Sequence, residues 1–191
     1  MDRTKQKIIE ATISLFVSKG YKGTTTKEIA KASGVNEVTI FRHFGNKRGL
    51  FEAIIDSLTF QQVFPDDFSE TLSWDLEKDL LVISKKYHET LDSISDLVLI
   101  GFREAGNHPE LNDLISKFPK SFKTIVYNYL LEMRKQNKLI EVNIELQAMN
   151  FVWLNFGYFI SKSRFGQQII SVEQDEFLEQ SILLFARGLT P

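Results

Sequence analysis

The chain has 191 residues, enough for one large domain or a small domain fused to a larger one. Hydrophobic residues make up 43% and charged residues 25%, which excludes a disordered tail; the absence of cysteine excludes disulfides, thiolate zinc sites and thiol nucleophiles. Lys and Arg number 23 against 25 Asp and Glu, and this net charge of −2 taken alone argues against a nucleic-acid binder.

The average hides an asymmetry. Residues 1–60 carry ten Lys/Arg and six Asp/Glu, a charge of +4, while residues 61–191 carry thirteen against nineteen, a charge of −6. Such a split suggests two jobs in one chain. The opening MDRTKQKIIE has no apolar run after its basic residues, so it does not read as a secretory signal. With no cysteine, a cytoplasmic protein is expected.

Helical periodicity begins at once. From Arg3 to Lys19 the apolar residues Ile8, Ile9, Ala11, Ile13, Leu15 and Phe16 form a broad stripe, and Gly20 follows as a stop. After a turn at Tyr21–Gly23, Thr25-Thr26-Lys27-Glu28 matches a capping box, predicting a second helix that runs to about Ser33 and ends at Gly34. Asn36 can cap a third helix, Glu37 to Phe44. Gly45-Asn46 ends that helix and starts a fourth, with Leu50, Phe51, Ile54, Ile55 and Leu58 on its apolar face.

Two short helices joined by a few residues including Gly34 make a helix-turn-helix candidate. Ala30 is small where the helices must approach, Gly34 can take the left-handed conformation, and Val35 and Ile40 can seat the third helix. The outward positions Glu37, Val38, Thr39, Arg42 and His43, with Lys47 beyond, could meet phosphates and base edges. Spacing of this kind recurs by chance, so alone it does not decide the matter.

The stretch Ile9 to Ile55, centred on GTTTKEIAKASGVNEVTIFRHFGNKRGLFEAI, resembles the DNA-binding domain of the tetracycline-repressor (TetR) family. The likeness rests on Phe16 to Tyr21 (Phe-x-x-x-Gly-Tyr), the Thr-x-x-Glu-Ile-Ala capping stretch, Gly34-Val35, and Thr-Ile-Phe-x-His-Phe-x-Asn-Lys from Thr39 to Lys47. It covers about a quarter of the chain. It implies an all-α fold: a three-helix helix-turn-helix domain over 1–47, joined to a larger helical ligand-binding and dimerisation domain over 48–191.

The resemblance also implies roles. The third helix would enter the major groove of a double-stranded operator as part of a homodimer. Glu37 and Val38 would face base edges, where valine can touch a thymine methyl and glutamate can accept from a cytosine amine. Thr39 and Lys47 match phosphate-contacting positions. Thr25, Thr26, Lys27 and Asn36 lie at helix N-termini, where free N–H groups favour phosphate. Arg42 and His43 complete the polar set. Phe41 stands where the family most often has Tyr, which removes a hydroxyl that could bond a phosphate. Glu28 reads as a cap.

In the body, helices are expected at roughly 74–92, 94–106, 119–137, 145–164 and 173–188, with Pro119 suited to a first turn and Leu139–Glu145 a loop. Eleven of the 15 residues from Leu146 to Ile160 are apolar or aromatic and none is charged. That segment is too short and too polar for a membrane span, so it is either a central core helix or one shared with a partner. The resemblance implies that the last two helices form the dimer interface, through Met149, Val152, Phe156, Phe159, Ile160, Phe177, Leu178, Ile182 and Phe185.

It also implies a pocket for a small lipophilic effector. The candidates are Phe102, Arg103, Phe118, Phe122, Tyr127, Phe151, Trp153 and Asn155, although aromatics at helical spacing are usually core. His88, beside Glu89 and Asp92, reads more as a surface histidine than an anchor. No histidine of His43, His88 and His108 has metal-ligand spacing, and no nucleophile elbow or phosphate loop is present. Catalytic residues, metal and cofactor are therefore not expected. The leading expectation is a repressor released from a palindromic operator by an apolar molecule; the alternatives are a helical adaptor for a protein partner or, less favoured, an enzyme.

Overall fold

The computed structural model describes residues 3–57, 64–65, 67–106, 108–169 and 171–191. Among these residues every regular element is helical: α1 (Arg3–Lys19), α2 (Thr26–Ser33), α3 (Glu37–Phe44), α4 (Lys47–Ser57), α5 (Leu76–Ser93), α6 (Ser95–Ala105), α7 (Asn112–Lys135), α8 (Ile144–Phe165) and α9 (Gln174–Arg187). Short 3₁₀ turns lie at Phe68–Thr71, Pro109–Leu111 and Gly166–Gln168. Leu139–Asn143 is a loop, pinned where the Ile140 N–H donates to the Leu189 carbonyl at 2.9 Å. No described helix is long and apolar enough to cross a membrane, and no group of three His, Cys, Asp or Glu among the described residues could hold a metal ion.

The chain divides into two compact units, and the division is not a single cut near residue 47. One unit comprises Met1–Thr59 and Ile94–Phe118; the other comprises Phe60–Ser93 and Pro119–Pro191. The first unit therefore recruits α6 and the start of α7 to the helix-turn-helix region. The reason lies in α1, which has two apolar faces. Ile8 packs with Ile29, Ala30, Ile40 and Leu50, while Ile9 and Phe16 pack with Tyr21, Phe51, Ile54, Leu97, Ile100, Leu111 and Leu114. α2–α4 alone would cover that second face only in part, through Phe51 and Ile54 of α4. Fully burying each of these Ile, Leu and Phe side chains is worth about 1.5–3 kcal/mol, so α6 is an integral wall of that core.

Pro119 lies well inside α7, not in its first turn. It has no N–H to donate to the Ile115 carbonyl, and its ring crowds that carbonyl. The helix nevertheless continues, and the boundary between the two units falls at this residue.

In the second unit, α5 buries Leu76, Leu80, Ile83, Tyr87 and Leu91 at three- and four-residue spacing. It packs against α8 and α9. α8 buries only one side, through Ala148, Phe151, Val152, Asn155, Tyr158 and Phe159, and leaves Leu146 and Trp153 exposed. A helix apolar on all sides is thus half covered by its own chain.

Candidate nucleic-acid interface

The turn between α2 and α3 is set by local chemistry. Gly34 has φ +70°, the left-handed region, and a Cβ there would meet open space but a strained backbone. The Val35 N–H donates to the Ala30 carbonyl at 3.0 Å, closing the end of α2. At the start of α2 the Thr25 hydroxyl accepts from the Glu28 N–H at 3.2 Å, and Glu28 Oε2 accepts from the Thr25 N–H at 2.9 Å. This is the capping box expected from the sequence. The Lys19 ammonium, 2.6 Å from Glu28 Oε1, together with the Thr25 donors, holds the Glu28 carboxyl down at about 2. Glu28 is thus committed to joining α1 to the start of α2.

Asn36 caps α3 by accepting from the Val38 N–H at 3.0 Å. Ile40 is fully buried and half-buried Phe44 packs beside it, so this side of α3 is sealed into the core. The opposite side is open: Val38 is 70% exposed and Phe41 46% exposed, with exposed Arg42 one turn after Val38. Thr39 and His43 flank this face and are half-buried. Phe41 therefore presents part of its ring to solvent.

Thr26, Glu37 and Lys47 already have partners. The Thr26 hydroxyl donates to Glu37 Oε1, tying the first turn of α2 to that of α3. Lys47 Nζ donates to the carbonyls of Tyr21 at 2.9 Å and Thr24 at 3.0 Å, and lies 4.4 Å from the centroid of the Tyr21 ring. Burial lowers the pKa of Lys47, and the charge of Glu104 opposes this. Glu104, 6% exposed on α6, also meets Arg103 Nε at 3.1 Å and His108 Nε2 at 3.5 Å. His108 lies edge-on to Tyr21, with ring centroids 5.2 Å apart. No local pattern signals this cluster, because Tyr21, Lys47 and Glu104 are far apart in the chain. Lys27 is exposed on α2, and Thr25 is exposed at its cap.

The residues expected to line an effector pocket do not come together as a set. Phe102 is 57% exposed on α6, and Arg103 is engaged with Glu104. The side chain of Phe118 lies outside the described residues. Phe122 and Phe151 are fully buried, with ring centroids 6.2 Å apart, and Phe122 stacks on Tyr87 at 3.7 Å. Tyr127 borders a surface cavity with Arg134 and Glu141, and Trp153 is 64% exposed. Asn155 is fully buried and donates to the Phe151 carbonyl at 2.9 Å.

His88 is not a surface residue: it is fully buried, with Ser84 one turn earlier on α5 also fully buried. Both ring nitrogens of His88, the Ser84 hydroxyl and the Asn155 carbonyl oxygen have no hydrogen-bond partner. Burial pushes the imidazole down to about 4, although nearby Asp92 and Asn155 favour its charged form. At neutral pH the ring is therefore uncharged, with one nitrogen able to donate and the other to accept.

Of the expected interface residues, Val152, Phe159, Leu178 and Ile182 are buried inside their own unit. Met149, Phe156, Ile160, Phe177 and Phe185 are half-buried. Leu184, at 75% exposure, is the most open large apolar residue of α9, and with Leu146 and Trp153 it was missed because pattern alone does not say which side of an all-apolar helix faces out.

Residues 8–54 match the family model described as bacterial regulatory proteins, tetR family. The chain is 36% identical over 190 residues to the uncharacterized HTH-type transcriptional regulator YvkB of Bacillus subtilis, covering 100% of this chain and 99% of that protein. The chain belongs to the TetR family of bacterial regulatory proteins. The regulator is also 42% identical over 48 residues to IcaR of Staphylococcus aureus, the negative transcriptional regulator of the biofilm operon icaADBC, covering 25% of this chain and 26% of that one. Among solved structures it resembles the flavonoid-responsive regulator FrrA, with TM-score 0.74 and 25% identity over 100% of this chain and 99% of that chain. It shares its fold with a tetR-family regulatory protein of Rhodococcus RHA1, with TM-score 0.72 and 19% identity over 100% of this chain and 98% of that chain. The family comprises transcriptional regulators, so this chain is a regulator and not an enzyme.

Proposed function

We infer that this TetR-family regulator is a dimeric repressor that leaves its operator when a small, largely apolar molecule binds the α5–α8 core. The observation that carries the DNA half of this reading is the open face of α3. Val38, Phe41 and Arg42 stand exposed on one side while Ile40 fixes the other. Isolated exposed valine and phenylalanine on a short, well-capped helix suit contact with thymine methyls, and arginine suits guanine or phosphate. Thr25, Lys27, Thr39 and His43 flank this face as backbone contacts. Lys47 uses two of its three N–H groups on carbonyls, so its role is to hold the α1–α2 turn and offer at most one bond to phosphate. Glu37 and Thr26 act on DNA through the pose they give α2 and α3.

The second copy is read from α8 and α9. Leu146, Trp153 and Leu184 are exposed, with Met149, Phe156 and Phe177 half-buried near them in sequence. An apolar surface of this kind marks an interaction site, and a two-fold dimer offers two recognition helices.

The effector is read from His88, Asn155 and Ser84. Buried polar groups without partners are rare and costly, and a ligand that supplies a donor and an acceptor relieves two of these atoms. The rings of Tyr87 and Tyr158 beside His88 suit an apolar body attached to that polar head. FrrA responds to flavonoids, which accords with an aromatic hydroxylated effector here. For release, such a molecule must bind the operator-free form more tightly than the bound form. Fluorescence anisotropy tests the reading. Duplex DNA from beside the regulator's own gene should bind tighter than shuffled duplex, with affinity falling steeply in salt, and an effector should reverse this only while His88 and Asn155 are intact. Equal binding to both duplexes defeats it.

A further inference from the structure

A cavity of about 560 Å³ lies in the second unit, away from His88, bounded by the 64–74 segment, α5 and the second half of α7. Nothing in the regulator reading uses it. Four aromatic residues line it: Phe64, Phe68, Trp74 and Tyr129. Phe64 and Phe68 meet edge to face at 4.9 Å, and Trp74 stacks on Tyr129 at 5.9 Å with an 18° tilt.

The wall made by Trp74 is held in an unfavourable conformation. Its φ is +58°, a left-handed backbone that bulky residues rarely adopt. The neighbours over-determine it. Asp79, 3% exposed, accepts from the Ser73 N–H at 2.9 Å, the Ser73 hydroxyl at 2.8 Å and the Tyr129 hydroxyl at 3.0 Å. Lys138 Nζ donates to the Trp74 carbonyl at 2.7 Å. One buried carboxylate thus fixes both the residue before the tryptophan and the ring beneath it. Strain maintained in this way is characteristic of ligand clamps.

Among the described residues that line the cavity, the charged side chain is Glu132, while Lys86, Lys135 and Lys138 stand behind the lining. The cavity's polar lining includes the Asn128 amide and the Glu132 carboxylate, and no Lys, Arg or His among the described residues lines it. Glu132 Oε2 meets Lys135 at 3.0 Å, which leaves Oε1 for another donor. The faces of aromatic rings attract cations, indole most strongly. Phe68 already has the Lys86 ammonium 5.8 Å from its centroid.

We propose that this cavity is a binding site for a flat organic cation, gripped by Trp74, Phe68 and Tyr129 and neutralised by Glu132. The site is separate from the effector reading above and stands or falls without it. Trp153→Phe leaves Trp74 as the one tryptophan, so its fluorescence reports the cavity directly. The probes are 10-methylacridinium, neutral acridine at pH 8, and acridine-9-carboxylate, which share a ring system and differ in charge. The cation should bind at least tenfold tighter than acridine, and the anion weakest. Glu132→Gln, at a part-exposed position that tolerates change, should remove the tenfold preference and leave acridine binding unaltered. Equal affinity for the cation and acridine, a preference that survives Glu132→Gln, or no quenching by any probe in a chain that circular dichroism shows to be folded would each overturn the proposal.

Discussion

Acid should destabilise the regulator through His88. Its folded pKa of about 4 lies below the unfolded value of about 6.5, because burial disfavours the charged ring. The sign follows directly. Above about pH 6.5 both states hold the neutral ring and stability is unaffected. As pH falls below that value the unfolded chain binds a proton that the folded chain refuses, so stability declines until about pH 4 and then levels off. The whole shift corresponds to about 3 kcal/mol, of which about 2 kcal/mol is spent by pH 5. Domains are typically stable by only about 5–15 kcal/mol, so the loss is large. Urea unfolding at pH 7.5 and pH 5.0, at one fixed protein concentration, measures it for the parent and for His88→Gln. His43 and His108 are present in both proteins, so the comparison isolates His88. With a urea slope of about 1–3 kcal/mol/M, the parent midpoint should fall by roughly 1 M more than that of the variant. Equal losses in the two proteins would show that His88 is not buried in its neutral form.

Three further outcomes are expected. Lys47→Met removes two hydrogen bonds to the Tyr21 and Thr24 carbonyls, so it should cost about 1–3 kcal/mol in urea unfolding as well as weakening DNA binding. A variant that loses DNA affinity at unchanged stability would restore the plain phosphate role. Val38→Ala should change the preferred base at one position of each half-site, whereas Thr39→Ala should weaken all duplexes alike; binding to a panel of point-mutated operators separates the two. Leu184→Asp places a charge at a position 75% exposed in the single chain, so sedimentation should show monomers with unchanged helicity; an intact dimer would move the interface elsewhere.

What the sequence made legible is what is local. The capping box at Thr25–Glu28, the Asn36 cap and the left-handed Gly34 each depend on residues within a few positions, and all three stand as read. The helix expected at roughly 74–92 is likewise present, as α5 over Leu76–Ser93. Residue roles that depend on long-range packing were not. His88 sits among charged neighbours in sequence, yet α5 turns it inward to meet Tyr158 on α8. Glu37 and Lys47 looked free because their partners, Thr26 on the preceding helix and the carbonyls of Tyr21 and Thr24, are visible only in space. Trp153 looked like a pocket residue, but a helix apolar all round gives no phase, and the exposed side proved to be the one that carries it. The role of α6 as a wall of the first unit, through Leu97 and Ile100, has no signal near the helix-turn-helix motif.

The charge asymmetry belongs to the same account, with ten Lys/Arg against six Asp/Glu in the first 60 residues of a chain whose net charge is −2. Only the segment that approaches phosphate must be basic. The decisive measurement is selection of duplexes from a random library by the purified regulator, with the mass of the selected complex determined alongside. The account predicts enrichment of a palindrome whose half-site centres lie about 10 base pairs, or a multiple of one turn, apart, bound by two chains or a multiple of two. Failure to enrich any sequence, or enrichment of a single half-site bound by one chain, would contradict it.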